Sequence, residues 1–219
     1  MSHKVHPLAF RLGVHATWKS RWFDAKNYVG KLREDIASRE FLTKKLRSSG
    51  LQNLEIERTQ NKLLIVIHTS RPGLIIGRAG TGIETLQKEV QKVLESARRG
   101  KSGAMSEFKI EVREVRSPET FASLVGLSIA EQLERRMPFR RVLKQAIERT
   151  SANKQVQGVK ILVSGRLGGA EMSREEWLKE GRLPRNTLRS DIDFAQEIAY
   201  TTYGTIGIKV WIYKGQKLE

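Results

Sequence analysis

Four residues, Gly77-Arg78-Ala79-Gly80, carry the clearest chemistry in this sequence. Two glycines around a basic residue let a backbone approach a sugar–phosphate chain, because no side chain keeps the two apart. A Gly-x-x-Gly loop between an apolar segment and a helix can clamp about four nucleotides of a single strand. The exposed amides at the start of the following helix then favour an anion. Competing phosphate motifs fail on inspection. A Walker loop would need Gly-Lys-Ser/Thr after four spacers, and a dinucleotide fingerprint begun by Gly80 and Gly82 would need glycine where Thr85 stands. The bland alternative is a plain turn, and the flanking elements decide between the two.

A second constellation is cationic. Arg135, Arg136, Arg140, Arg141 and Lys144 surround a helix that begins near Phe139. With Phe139, Val142, Leu143 and Ile147 facing inward, the basic residues project from the opposite side, with Arg140 and Lys144 one turn apart. Such a face is spaced to meet successive phosphates. Its alternative is a solvated charge run partly neutralised by Glu131, Glu134 and Glu148. A third group, Lys4, Arg11, Lys19 and Arg21 among Phe10, Trp18, Trp22 and Phe23, mixes cations with rings that stack on unpaired bases. Those tryptophans could equally anchor the N-terminal segment. Catalysis finds little support. The four histidines share no metal-binding spacing, Ser164 lacks nucleophile-elbow flanks, and Asp191/Asp193 on one strand read as ion-pair partners rather than nuclease carboxylates. No catalytic residue, metal or cofactor is expected.

The elements that must position these residues follow from periodicity. Residues 1–19 show no regular period and read as an arm. A helical pattern runs from Asp24 to Arg47, with Ile36, Phe41, Leu42 and Leu46 inward. Leu51–Thr59, Leu63–Thr69 and Phe108–Val115 alternate as strands. Between the last two lie a short apolar helix, the Gly-x-x-Gly loop and a helix burying Ile83, Leu86, Val90, Val93, Leu94 and Ala97, with a loop over residues 100–105. Ser117-Pro118-Glu119 reads as a capped helix start. That helix carries Phe121, Leu124, Val125, Ile129 and Leu133 inward and stops at Pro138. The remainder is β-rich, with strands at Val159–Gly165, near Trp177, at Leu188–Phe194 and at Gly207–Tyr213. The expected class is α+β: residues 1–38 form an arm and first helical segment, 39–116 one domain, and 117–219 a second with a helical pair and a sheet.

Composition agrees with a polyanionic partner. Forty Lys and Arg against 24 Asp and Glu leave a formal net charge of +16 across 219 residues. No apolar run approaches the roughly 20 residues needed to span a bilayer, and no secretory leader is expected. Cysteine is absent, which removes disulfides, thiolate nucleophiles and Cys-type zinc sites and suits a reducing compartment.

The order helix, strand, strand, short helix, Gly-x-x-Gly, helix, strand resembles the type II KH fold, with helices on one face of a small sheet. Over nearly its whole length the chain also resembles the small-subunit ribosomal protein S three family in its bacterial or organellar form. The likeness rests on Lys4-Val-His-Pro7 with Arg11-Leu-Gly13, and on Ile67-His-Thr-Ser-Arg-Pro-Gly73. It continues in Gln132-Leu-Glu-Arg-Arg136 with Phe139-Arg-Arg141, in Val163-Ser-Gly-Arg-Leu-Gly-Gly-Ala-Glu171, and in Thr202-Tyr-Gly204 with Gly207-Ile-Lys-Val-Trp211. The resemblance implies a structural protein of the small-subunit head that binds rRNA and neighbours of the S ten and S fourteen families. It implies that Arg135, Arg136, Arg140, Arg141 and Lys144 line the channel through which mRNA enters and help open message duplexes. It further implies rRNA contact by the arm through Lys4, Arg11, Lys19, Arg21 and Trp22, and residence in cytoplasmic or organellar ribosomes. Pro138 departs from the family pattern, as do Ser2-His3 and Leu8-Ala9. Two alternatives stand beside this reading, a free regulatory KH protein and a nucleic-acid lyase or nuclease.

Overall fold

The computed structural model describes residues 5–59, 62–98 and 107–217. Within them lie two compact units, one over residues 18–116 and one over 117–217 joined by residues 5–17. A single helical turn, α1 (Pro7–Phe10), opens the chain. The first unit then runs β1 (Ser20–Arg21), α2 (Tyr28–Lys45), β2 (Leu51–Arg58), β3 (Lys62–Thr69), α3 (Pro72–Ile76), α4 (Thr81–Ala97) and β4 (Glu107–Glu114). Its sheet has the order β1-β2-β3-β4, with β2 and β3 antiparallel and the two outer pairings parallel. A parallel β3–β4 pair cannot be closed by a tight turn, and α3 with α4 supplies the crossover. Strand period 2 sends Leu54, Ile56, Leu63, Ile65, Ile67 and Ile110 to one face. There they bury against Leu42 and Leu46 of the α2 segment and Leu86, Val90 and Leu94 of α4. Each such side chain stabilises the fold by about 1.5–3 kcal/mol, and Ile65→Ala would cost about 2–5 kcal/mol.

Helix α2 departs from its expected pattern. Ile36 is 48% exposed, whereas Glu34, Asp35 and Ser38 are buried. Residues 35, 38 and 42 share the inner face at helical spacing, and residue 36 lies about a quarter-turn away. The buried acids are tolerated because cations meet them. Arg58 bonds Glu34 at 2.7 Å and Asp35 at 2.5 and 2.9 Å, and Arg98 bonds Glu34 at 3.0 Å. Trp22 donates its indole N–H to Asp35 at 2.7 Å. The helix begins at Tyr28, not Asp24; the Asp24 carboxylate instead accepts the amides of Lys26 and Asn27 in a turn. The expected division at 38/39 falls inside α2, so residues 18–38 belong with 39–116.

The second unit places α5 (Ala122–Glu134) and α6 (Phe139–Ser151) against a wholly antiparallel sheet of β5 (Gly158–Gly165), β6 (Arg174–Gly181), β7 (Ser190–Thr201) and β8 (Gly204–Gln216). The order is β6-β5-β8-β7. Val159, Ile161, Val163, Ile206, Ile208 and Val210 meet Val125, Ile129, Leu133, Val142, Leu143 and Ile147 in one core. Ser117 does not cap the long helix. Pro118–Thr120 forms a separate 3-10 turn, and α5 begins after Phe121. Asp193 of β7 caps it from across the sheet, accepting the Ala122 amide at 2.9 Å.

Residues 5–17 are not a free arm. His6 Nδ1 accepts the first amides of α1, and its ring meets Phe194 edge-on at 4.8 Å. Arg11 is only 2% exposed, and its guanidinium donates to the carbonyls of Pro7, Arg185 and Thr187 at 2.9 Å each. Residues 20 and 21 instead pair with β2 of the other unit. Lys4 and the expected loop over residues 100–105 lie outside the described residues.

Candidate nucleic-acid interface

Helix α3 is stopped by Gly77, which takes φ +69°. Arg78–Gly80 then makes one 3-10 turn, and Gly80, at φ +82°, leads into α4. A side chain at Gly80 would meet nothing within 4 Å, so this backbone stands open to a ligand. Only its left-handed conformation demands glycine there. Gly82 is demanded for a different reason: a Cβ there would lie 2.5 Å from the Ile75 carbonyl oxygen. It lets α3 and α4 close on the loop, a role the motif alone did not signal. No side chain caps α4; apart from the Thr81 amide, which donates to the Arg78 carbonyl, its first-turn amides carry no side-chain cap at the positive end of a 17-residue helix. Arg78 is exposed beside them. Leu74 (64%) and Ile76 (38%) of α3 are exposed apolar residues next to the loop, surfaces against which a base can pack. In the sequence both stand only as part of an apolar segment.

The cationic face lies in the other unit. Helix α5 ends in a Schellman motif: the Arg136 amide bonds the Leu133 carbonyl at 2.9 Å and the Met137 amide bonds Gln132 at 3.1 Å. Arg136 occupies the left-handed position at φ +61°, where glycine is the usual residue. Pro138 follows as the N-cap of α6, and its carbonyl accepts the amides of Arg141 and Val142. Pro138, expected to disturb the start of this helix, instead gives it a clean start. Val142, Leu143 and Ile147 are buried while Arg140, Arg141 and Lys144 are exposed, as helical spacing requires. Arg135 and Arg136 are exposed at the preceding helix end. Arg140 approaches Glu176 at 3.7 Å with its side chain 74% exposed, an exposed pair worth little. Arg174 of β6 joins this face. Its guanidinium lies 5.5 Å from the Phe139 ring, whose other neighbour is Arg140 at 5.8 Å, and it pairs with Glu176 at 3.3 Å. No local pattern could have found Arg174, because only the β6–α6 packing brings it there.

The proposed arm residues separate. Arg11 donates from both terminal nitrogens of its guanidinium to three carbonyls and is buried, so it holds the N-terminal segment rather than a phosphate. Trp22 anchors through Asp35 and under Arg58 at 6.0 Å. Arg21 is exposed but pairs with Glu57 at 3.5 Å and Glu55 at 3.9 Å. Lys19 is exposed, and its carbonyl accepts from Arg39. Trp18 and Phe23 are the most exposed rings of this group, at 68% and 90%, with Phe10 at 40%. Of the two strand carboxylates, Asp193 is a helix cap and Asp191 lies 3.5 Å from Lys217. Among the described residues no three His, Asp or Glu converge on a metal site, and no helix is long and apolar enough to cross a membrane.

Comparison with known proteins accounts for both units. Residues 37–120 match the family model described as KH domain, and residues 129–212 match that of ribosomal protein S3, C-terminal domain. Small ribosomal subunit protein uS3 of Myxococcus xanthus (strain DK1622) is 49% identical over 218 residues, covering 100% of this chain and 94% of its own. The uS3 protein of Geobacter sulfurreducens is also 49% identical over 218 residues, with 100% and 98% covered. That of Caldicellulosiruptor saccharolyticus is 46% identical over 219 residues, with 100% and 94% covered. Full-length identity at this level, together with an open Gly-x-x-Gly backbone and an exposed arginine face, establishes that the chain belongs to the small ribosomal subunit protein uS3 family and carries its RNA-binding KH domain.

Proposed function

We propose that this chain is built into the head of the small ribosomal subunit, binds small-subunit rRNA, and guides mRNA at the channel through which it enters. The observation that carries the mRNA reading is the cationic end of the α5–α6 pair. Arg135, Arg136, Arg140, Arg141 and Lys144 are all exposed there, while the apolar side of α6 is buried. Phosphate contacts of this kind position a strand without reading its sequence, which suits a site that every message must pass. Held against one strand, the same charges would favour its separation from a partner strand, and so assist duplex opening without a nucleotide site. The KH loop, with Gly77, Arg78, Ala79 and Gly80, serves as a second contact to single-stranded RNA. Lys4, Lys19 and Arg21 are the arm positions left as rRNA contacts. Neighbouring proteins of the S ten and S fourteen families complete the setting, in bacterial cytoplasmic ribosomes or their organellar counterparts. The chain acts without catalysis of its own.

The test uses reconstituted ribosomes carrying Arg140→Ala, Arg141→Ala and Lys144→Ala together. Messages with a stable duplex ahead of the decoding site should slow relative to unstructured ones. Equal relative rates in parent and variant would refute the channel assignment. Sedimentation distinguishes the free regulatory alternative, which predicts protein running apart from small subunits in low salt.

A further inference from the structure

We propose that the outward face of the C-terminal sheet is an additional RNA-contact surface, on which Trp177 stacks an unpaired base and Lys179 and Lys209 hold the flanking phosphates. The inference rests on the RNA-binding reading and adds a site to it. Val159, Ile161 and Val163 face the helices, so strand alternation sends Lys160 and Leu162 to the opposite face. Register then places Trp177 and Lys209 on either side of Leu162, and Lys179 and Trp211 on either side of Lys160. Trp177 remains 54% exposed on its strand. The Lys160 ammonium lies 4.4 Å from the Trp177 ring centroid and 5.8 Å from that of Trp211. One face of the Trp177 ring is thereby occupied by a cation, and its remaining exposure belongs to the other face and the edge, where a base can stack.

Charge decides the kind of partner. Glu175 is the only carboxylate at the outward positions of β5 and β6, against Lys160 and Lys179 there and Lys209 beside them on β8. The outward face of the KH sheet is the opposite case. Its cations stand among as many carboxylates, with Arg21 paired to Glu57, Lys62 to Glu107 and Arg113 to Glu111 at 2.9 Å. A phosphate backbone gains little from that balanced face and is attracted here. At the β7 end of the C-terminal sheet, α1 and the His6–Phe194 contact cover the surface. Leu162 and Trp211 are buried between the two ends, with Leu183 packed against their cluster, and the exposed β6 edge with Trp177 and Lys179 is left for an outside partner. A ring on an open sheet flanked by lysines is the arrangement that takes single-stranded bases on other sheet surfaces.

The full chain is mixed with a single-stranded RNA of about 12 nucleotides carrying 5-iodouridine, irradiated, and its cross-linked peptides are sequenced. Cross-links should include the peptide containing Trp177. Trp177→Leu, which keeps apolar area but removes the stacking ring, should weaken binding by about 5- to 100-fold, and Trp177→Phe should restore most of it. Lys179→Gln with Lys209→Gln should make the slope of log affinity against log salt shallower by about 1.4. Unchanged affinity in a Trp177→Leu protein with native circular dichroism would overturn the proposal and leave the face to a protein neighbour. Cross-links confined to the peptides of Arg78 and Arg140 would overturn it as well, while leaving RNA binding intact. Failure of the unmodified chain to bind RNA in low salt would instead remove the RNA-binding reading itself.

Discussion

Replacing Arg136 by glycine should make the protein more stable and worse at holding RNA. Arg136 sits at φ +61° in the turn that ends α5. A side chain in the left-handed region costs roughly 1–2 kcal/mol, and glycine escapes that cost. Glycine also loses more freedom on folding, which returns about 0.4–1 kcal/mol. The net gain for Arg136→Gly is therefore about 0.5–1 kcal/mol, or roughly 1–4 °C in melting temperature for a chain of this size. Both turn hydrogen bonds come from backbone amides, of Arg136 and Met137, so glycine keeps them. Among the described residues no ion pair or side-chain hydrogen bond involves the Arg136 guanidinium, so little packing is forfeited. If that guanidinium meets one phosphate, the slope of log affinity against log salt for single-stranded RNA should become shallower by about 0.7. Arg136→Ala separates the two effects, since it removes the charge and keeps the strained backbone. It should show the same change in slope without the gain in stability. Thermal unfolding followed by circular dichroism and salt titration of RNA binding measure both quantities. A glycine variant that melts below the parent, or a slope unmoved in both variants, would refute the reasoning.

Arg78→Asp combined with Ala79→Asp should weaken binding of single-stranded RNA by about tenfold or more while the fold is kept, because negative charge would stand where phosphates approach; unchanged affinity would remove the loop as the clamp. Asp35→Ala should destabilise the KH unit by about 3–5 kcal/mol in urea titrations, since it strips Arg58 of its shortest partner inside a buried network. Asp193→Ala should cost about 0.5–2 kcal/mol by removing the cap on the Ala122 amide, with no effect on RNA salt dependence. The hydrogen bond from Lys31, aided by the amide of Asn27, holds the Asp24 carboxyl at about 2, below its ordinary 3.8. Its small contribution to stability is thus complete above about pH 4 and lost as pH falls toward 2. Carboxyl NMR titration should place its midpoint near 2, and an ordinary midpoint would remove the interaction.

Much of the fold was legible because its elements announce themselves locally. The alternation of Leu63, Ile65 and Ile67 and the four-residue spacing of Leu86, Val90 and Leu94 each name one buried face. The same spacing on α6 separates Val142, Leu143 and Ile147 from Arg140, Arg141 and Lys144, so the cationic face was readable before any coordinates. The arm was misread for an equally physical reason. A single turn capped by His6 and a buried Arg11 leave no periodic signal, and two of the three carbonyls that accept from Arg11 lie more than 170 residues away. Ile36 misled because hydrophobicity alone cannot foresee that Asp35 and Glu34 would find Arg58 and Arg98.

What the amino-acid sequence by itself determined is therefore the set of elements, the Gly-x-x-Gly loop and the side of α6 that carries charge. These depend on backbone sterics and on periodicity within a dozen residues or so. Only the tertiary structure decided which cations remain available. Arg11, Arg58 and Arg98 are the same residue type as Arg140 and Arg141, yet the first is spent on carbonyls and the other two on buried carboxylates. It also decided that Asp193 caps a helix, that Arg174 joins the cationic face, and that the Trp177 ring lies beside Lys160. Hydrogen bonds and ion pairs are made with whatever the fold brings within about 3 Å, and that neighbourhood is not written in any local stretch of chain.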